Sequence, residues 1–381
     1  MKEKIFVFVD WYEPGFRGGG PIRSCVNFAE NLKNDFEIFI FTRDRDLGMD
    51  KAYDHIQTDT WLQKDGINIF YGSPTQLTWS NIAFQLKENI QPAYIYVNGM
   101  FSKLFSIYPL LIKRFYGLKQ RCIVTPRGML KSTALQFKRE RKTCFLKVLQ
   151  LFNIYDHIIF QATDETEQCD VKRNLGEKSL VRRIPNFPAK PKDWTTPPLK
   201  KPGIVKLIFV GRTHPIKNLH LVLEWLPQTD GEILFTIITT DEDMTYWNKC
   251  KQLIDKFPSS IKTIVQKNVP HATVEKLIAE HHVLILPTEG ENFGHVIFEA
   301  LSLGRPVIIS DQTPWRHLQQ KKAGWDISLS ETEQFIAALR VVLSWNQEEL
   351  NDWSFKAWQL SVAYAENRDL KNQYLQLFSN Q

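Results

Sequence analysis

The sequence predicts an α/β fold built of two parallel-sheet domains in series, and three observations carry that prediction. Short apolar, β-branched or aromatic runs alternate with longer helix-period segments almost throughout, and continuous hydrophobic strands of this kind belong to sheets covered by helices on both faces. A stretch with six prolines between Pro185 and Pro202, in "IPNFPAKPKDWTTPPLKKPG", breaks the alternation. It can neither continue a helix nor lie inside a sheet. Beyond it the alternation begins again.

In the first half, strands are expected over residues 4–10, 36–42, 67–71, 93–98, 121–125, 155–161 and 179–184. In the second they are expected in "IVKLIFVG", "ILFTIIT", "IKTIVQ", "VLILP" and "PVIIS". Helices are expected from Pro21 to about Leu32, from near Lys217, and from about Gly294 to Leu303. Residues 331–378 are nearly all helix-patterned, with Phe335, Leu339, Val342, Trp345, Trp353 and Trp358 as packing positions. In open parallel sheets ligands bind beyond the carboxyl ends of the strands, so the loops after each strand are where chemistry is sought.

With 381 residues, 43% hydrophobic and 24% charged, the chain can bury two cores and is not of the disordered class. No apolar run approaches the ~20 residues of a membrane-spanning helix. The run after Lys4 meets Asp10 after five positions, too soon for a signal-peptide core. Five scattered cysteines (Cys25, Cys122, Cys144, Cys169, Cys250) include no C-x-x-C pair and suit reduced thiols in a cytosol. The formal charge of +6 is uneven: residues 1–185 hold 27 basic and 20 acidic side chains, the remainder 21 and 22. Between Lys113 and Lys147 eleven basic residues face the single acid Glu140, a concentration that attracts anions.

Three constellations follow predicted strands. The loop "PGFRGGGPIRS" sets Gly18, Gly19 and Gly20 before Pro21, a helix start whose bare amides form an anion site, although the loop alone also reads as a plain turn. It is neither a G-x-G-x-x-G fingerprint nor a P-loop. In "FVGRTHPIKN" the strand ends at Gly211, and Arg212 and Lys217 are either two solvated loop charges or a pair able to hold a diphosphate. In "TEGENFGHVIFEALSLGRPVIIS", Glu291 precedes a turn and Glu299 lies on a helix. Each alone reads as an ordinary surface charge. A carboxylate that accepts two hydrogen bonds also matches vicinal hydroxyls of a ribose or a sugar.

The spacing Glu291, "NFGHVIF", Glu299, the continuation "ALSLGRPVIISDQTPW" and the Gly-Arg loop "VGRTHPIKN" resemble the family-four retaining glycosyltransferases. "TPRGMLKSTAL", "FQATDETE" and "RRIPNF" occur in the order found in bacterial members, so the likeness spans about residues 4–375 and is strongest over 207–315. It implies a GT-B architecture, two Rossmann-like parallel-sheet domains facing a central cleft. Residues 1–185 would be the acceptor side, 186–203 the linker and 204–359 the nucleotide-sugar side, with a helix over about 360–381 packing back on the first domain. It implies that Arg212 and Lys217 bind the donor diphosphate, Glu299 the ribose and Glu291 the transferred sugar. Gly211 and the backbone of Asn292, Phe293, Gly294 and His295 would assist. The glycine loop would approach phosphate and acceptor, with Arg127 in the same region. No bound metal or other cofactor is implied.

Two departures stand out: Arg127 in "TPRG" replaces a histidine common in relatives, and Asn98 in "YVNGMF" stands where a His-Gly pair is frequent. A histidine general base is therefore not expected. Two D-x-D triplets, Asp44 to Asp46 and Asp241 to Asp243, mimic a metal motif of a different fold; helix capping is the expectation for the second.

The resemblance implies transfer of a hexose from a nucleotide-diphosphate sugar to a lipid-linked or polysaccharide acceptor in cell-envelope glycan synthesis (O-antigen, capsule or exopolysaccharide). Alternatives are a soluble metabolic glycosyltransferase, a nucleotide-sugar 2-epimerase and a non-catalytic nucleotide-sugar-binding protein. The basic segment 113–147, with Phe145, Val148, Leu149 and Phe152 at helical spacing, reads as attachment to an anionic inner-membrane surface, as a cradle for an anionic acceptor, or as an ordinary domain helix. The expected location is cytoplasmic, peripheral on the inner face of the plasma membrane. Nucleic acid is not an expected partner, because no aromatic stacking set accompanies the charge.

Overall fold

A computed structural model describes residues 2–131, 135, 142, 145–147, 149, 154–240 and 243–379 of the chain. The chain divides into two compact units, Met1–Phe187 with Arg368–Gln381, and Pro188–Asn367.

The first unit holds β1 (Lys4–Val9), β2 (Glu37–Arg43), β3 (Trp61–Lys64), β4 (Ile67–Gly72), β5 (Tyr94–Asn98), β6 (Arg121–Thr125), β7 (Ile158–Ala162) and β8 (Leu180–Arg183). They lie in the order β3-β4-β2-β1-β5-β6-β7-β8. All neighbours are parallel except β3 and β4. The period of two along β1 explains its unbroken apolar run: Ile5, Val7 and Val9 join the core on one face of the sheet, Phe6 and Phe8 the core on the other.

β3 is an addition to the expected strands. It forms a hairpin in which Lys64 pairs with Ile67, leaving Asp65 and Gly66 as the loop at φ 51° and 80°. Positive φ at both loop residues is the type I′ turn that matches strand twist. β7 starts at Ile158 instead of 155, because residues 154–157 form a turn with His157 at φ 58°.

The second unit holds β9 (Ile204–Val210), β10 (Glu232–Thr239), β11 (Ile261–Lys267), β12 (Val283–Leu286), β13 (Val307–Ser310) and β14 (Gly324–Ile327). The order is β11-β10-β9-β12-β13-β14, all parallel. Counted within the unit this is 3-2-1-4-5-6, the doubly wound Rossmann order. β14 is also beyond the expected set. It begins at Gly324, φ 143°, where an added Cβ would lie 2.0 Å from the Val307 carbonyl oxygen.

The proline-rich stretch is irregular in backbone but packed on the second unit. Lys200, 2% exposed, donates through Nζ to the carbonyls of Lys201, Leu343 and Trp345 at 2.8–3.0 Å. The Lys192 carbonyl accepts from Trp358 Nε1 at 2.8 Å. The helix Gln347–Ala365, opened by the Asn346/Glu349 capping box, ends within the second unit. The segment that rejoins the first unit is the next helix, Arg368–Phe378. Its Tyr374 stacks on Phe187 at 4.1 Å, and its Phe378 packs on Phe36 at 5.4 Å.

Cys25, Cys122 and Cys250 are buried free thiols, Cys169 is an exposed one, and Cys144 lies outside the described residues. Burial pushes the Cys25 and Cys122 thiols up to about 12, far from the thiolate form that reacts.

Candidate active site

In each sheet the strand order reverses once beside the first strand, between β1 and β5 and between β9 and β12. The carboxyl ends of strands at such a reversal are the place where α/β sheets bind ligands.

In the second unit the loops after β9 and β12 are sewn together. Gly211 N donates to Ile238 O at 3.0 Å, prolonging the β9 ladder before the chain turns away. Arg212 follows, exposed, and Thr213 is anchored to Thr239 Oγ1 at 2.6 Å. His214 Nδ1 accepts from Ile216 N at 3.2 Å and caps the short turn Pro215–Lys217. Asn218, left-handed at φ 53°, sends its buried Nδ2 to Pro287 O at 2.9 Å. Glu289 N donates to Ile216 O at 2.8 Å.

This stitching brings Lys217 to Glu291, Nζ to Oε1 2.5 Å, with side chains 14% and 17% exposed. Glu291 N donates to Gln312 O in the loop after β13. Asn292 is half-buried, and Phe293 is held by Trp315, whose Nε1 donates to Phe293 O at 2.7 Å. Gly294 turns the chain at φ 76°; an added Cβ would meet Ile297 Cδ1 at 2.8 Å. The helix His295–Ser302 begins at once, so Glu291 lies in the turn and Glu299 on the helix. Glu299 is 7% exposed and its Oε1 is 2.9 Å from His271 Nε2. Because an ionised carboxylate only accepts, His271 donates that bond.

In the first unit Gly19, at φ 65°, caps the helix Gly20–Leu32. An added Cβ on Gly18 would press on Ile22 Cδ1 at 3.1 Å. The approach to this loop is fixed by Asp46, whose Oδ2 accepts from Phe16 N at 2.8 Å and Arg17 N at 3.1 Å. Asn98, at the end of β5, joins the loop to Arg127: its Nδ2 donates to Pro21 O at 3.1 Å and its Oδ1 accepts from Arg127 Nε at 2.7 Å. Arg127 Nη2 donates to Tyr96 OH at 3.0 Å, while Nη1 is buried without a hydrogen-bond partner. Two of the guanidinium's three nitrogens are thus turned onto the floor of the sheet.

The structure therefore groups Lys217 with Glu291 and sets Glu299 on the helix that follows. In the first unit Asn98 ties Arg127 to Pro21, the residue that follows Gly18, Gly19 and Gly20. Sequence reasoning missed His271, Asn98 as the tie between loop and arginine, and Asp46 as the loop's anchor. The triplets have occupations of their own. Asp44 accepts from Arg45 Nε at 2.8 Å, Asp46 serves amides, and Asp243 caps the helix Met244–Ile254 through Tyr246 N at 2.9 Å; Asp241 lies outside the described residues.

The family model for glycosyl transferases group 1 matches residues 194–357, most of the second unit. No curated protein matches the chain by sequence. Solved structures resemble it over their whole length at low identity. HepE of Anabaena, in complex with UDP and glucose, gives a TM-score of 0.69 at 13% identity over 100% of both chains. Sucrose-phosphate synthase of Thermosynechococcus elongatus gives 0.66 at 15%, covering 99% of this chain and 98% of that one. The lipopolysaccharide outer core galactosyltransferase WaaB gives 0.59 at 17% over 99% of each. The chain has the GT-B fold, with two Rossmann-like parallel sheets, and its second unit carries the match to the glycosyl transferases group 1.

Proposed function

We propose that this protein is a retaining hexosyltransferase, taking a sugar from a nucleotide-diphosphate donor to a hydroxyl of a lipid-linked or polysaccharide acceptor in bacterial cell-envelope glycan synthesis. The observation that carries the reading is the junction of the loops after β9 and β12, where Arg212 and Lys217 share one loop, Glu291 lies in the facing turn and Glu299 sits on the helix beyond it. HepE was captured with UDP and glucose, a ligand of the kind such a set of cations and carboxylates would hold.

In this reading the bond from the sugar's anomeric carbon to the diphosphate breaks while the acceptor oxygen bonds to the same face. The acceptor's proton passes to a donor phosphate oxygen. Negative charge grows on the leaving diphosphate, so Arg212 and Lys217 bind it more tightly in the transition state than in the ground state. Lys217 has three N–H donors, enough to keep Glu291 and also reach a phosphate oxygen. Glu291 would meet the sugar's hydroxyls and Glu299 the ribose. Gly211 and the backbone at Asn292, Phe293, Gly294 and His295 would border the donor, and Gly18, Gly19, Gly20 and Arg127 the acceptor side. The step needs no resident metal, because the two cations meet the charge that a metal would otherwise carry.

Peripheral attachment to an anionic, cytoplasm-facing membrane surface belongs to the same proposal. It is favoured by Phe84, Phe115 and Tyr116, exposed at 47%, 73% and 47%. Exposed Lys87, Arg114 and Lys119 lie in the same segments, and Lys87 Nζ sits 4.2 Å over the Tyr116 ring. Aromatic rings beside cations suit a headgroup interface. Lys138, Arg139 and Arg141 of the basic segment lie outside the described residues; among those described, no helix is long and apolar enough to cross a membrane.

A thermal-shift panel of UDP, GDP, ADP and their sugars tests the donor assignment, since a ligand at a hundred times its Kd stabilises by about 2.7 kcal/mol. A shift with one base and none with the others is expected. No shift with any of them overturns the reading. Sedimentation with anionic vesicles, reversed by salt, tests the membrane part separately.

A further inference from the structure

We infer that His271 is a positioning residue for Glu299, fixing the carboxylate in the orientation that receives the donor's ribose. The inference rests on the donor reading above, and its test separates the two. Asn268, left-handed at φ 53°, turns the chain after β11, and its N donates to Thr239 O at 2.9 Å. His271 then opens the helix His271–Ala279, which packs beside the helix His295–Ser302. Two helix faces thus set the separation of the imidazole and the carboxylate, and the 2.9 Å bond is the outcome.

A glutamate reaches its target through three torsions, the last of them broad. A hydrogen bond from a ring carried on a separate helix narrows that choice before a ligand arrives. The Glu299 side chain is 8% exposed and the histidine side chain 27%, so water competes weakly for the bond. Ordering one rotamer-rich side chain during binding costs about 0.5–1.5 kcal/mol, which corresponds to a loss of about 2- to 13-fold in affinity when the ordering partner is removed.

The test compares His271→Ala, His271→Gln, Glu299→Gln and the double variant His271→Ala/Glu299→Gln. Each full-length protein is titrated with UDP, GDP and ADP, and kcat and KM are measured with the matching donor. His271→Ala is expected to weaken nucleotide binding and raise the donor KM about 5- to 10-fold, with kcat within about 3-fold. His271→Gln keeps an N–H donor and is expected to recover most of the loss. The double variant is expected to bind no worse than Glu299→Gln alone, because the histidine acts only through the carboxylate. Equal defects in the alanine and glutamine variants, or additive defects in the double variant, overturn the inference. So does normal affinity in His271→Ala beside a full defect in Glu299→Gln, which leaves the donor reading standing. Unchanged binding in Glu299→Gln overturns the donor reading at this carboxylate.

Discussion

Removing Lys217 separates a structural clamp from a donor anchor. Lys217 Nζ and Glu291 Oε1 are 2.5 Å apart, with 14% and 17% of their side chains exposed. At an effective dielectric of about 20 their attraction is about 7 kcal/mol before desolvation of both groups is subtracted. Truncating one partner of a buried pair costs about 3–5 kcal/mol, because the other is left charged and unpaired. The residual exposure of this pair brings the expectation to about 2–3 kcal/mol for Lys217→Ala. Glu291→Gln keeps an acceptor for the amine and should lose about 1 kcal/mol, the size of one net hydrogen bond. Urea unfolding of wild type, the two single variants and the double variant closes a cycle whose coupling energy should be about 1–2 kcal/mol. Turnover, measured well below each unfolding midpoint, should fall about 10²-fold or more in Lys217→Ala, as when one transition-state donor is removed. Full destabilisation with normal turnover would make the pair a clamp and refute Lys217 as a diphosphate ligand. A coupling energy of zero would refute the ion pair itself.

Arg212→Ala, on an exposed stretch of the same loop, should change the unfolding midpoint little and turnover about 10²-fold; near-normal turnover would remove it from the site. Gly294→Ala should cost about 1–3 kcal/mol by urea unfolding and weaken nucleotide binding, since φ 76° is strained for alanine and its Cβ would meet Ile297 Cδ1 at 2.8 Å. Stability should rise between about pH 4 and 6.5 through His282, which burial lowers to about 4. Its Nδ1 accepts from Lys206 N and its Nε2 donates to Leu199 O, both at 3.0 Å, so the folded state disfavours a second proton that the unfolded chain binds freely. The gain is on the order of 3 kcal/mol, is complete above pH 6.5, and should flatten in His282→Gln when urea midpoints are followed against pH. Asn98→Ala should cost about 1–3 kcal/mol by leaving Arg127 Nε without its acceptor; an unchanged midpoint would deny the tie between that arginine and the glycine loop.

Strand periodicity made the parallel sheets readable, because a strand buried on both faces leaves an unbroken apolar run such as "KIFVFV". β3 was equally readable in principle: Asp65 and Gly66 between "WLQK" and "INIFYG" are the chemistry of a two-residue hairpin, overlooked because the strand is short and half polar. β14 left no comparable local signal. Four residues beginning with glycine become a strand only through Val307, since it is the approach to that carbonyl that requires Gly324. At the site, the turn-then-helix placement of Glu291 and Glu299 was read from their spacing, as eight residues on one helix would set them about 12 Å apart along its axis. His271 was hidden for the opposite reason. Nothing near it in sequence marks it, and its partner is 28 residues away on another helix.

The return of Arg368–Phe378 to the first unit makes that unit discontinuous, with the whole of Pro188–Asn367 inserted into it. During synthesis the inserted unit is complete before the first has its final core residues, Leu370, Tyr374, Leu377 and Phe378. Until they arrive, Phe28, Phe36, Tyr94 and Tyr96 lack the aromatic partners that the last helix supplies. Apolar surface left open in this way is what chaperones hold. The glycine loop and Asn98 therefore reach their final support last, and a nascent chain can acquire a finished second unit before it has a finished first.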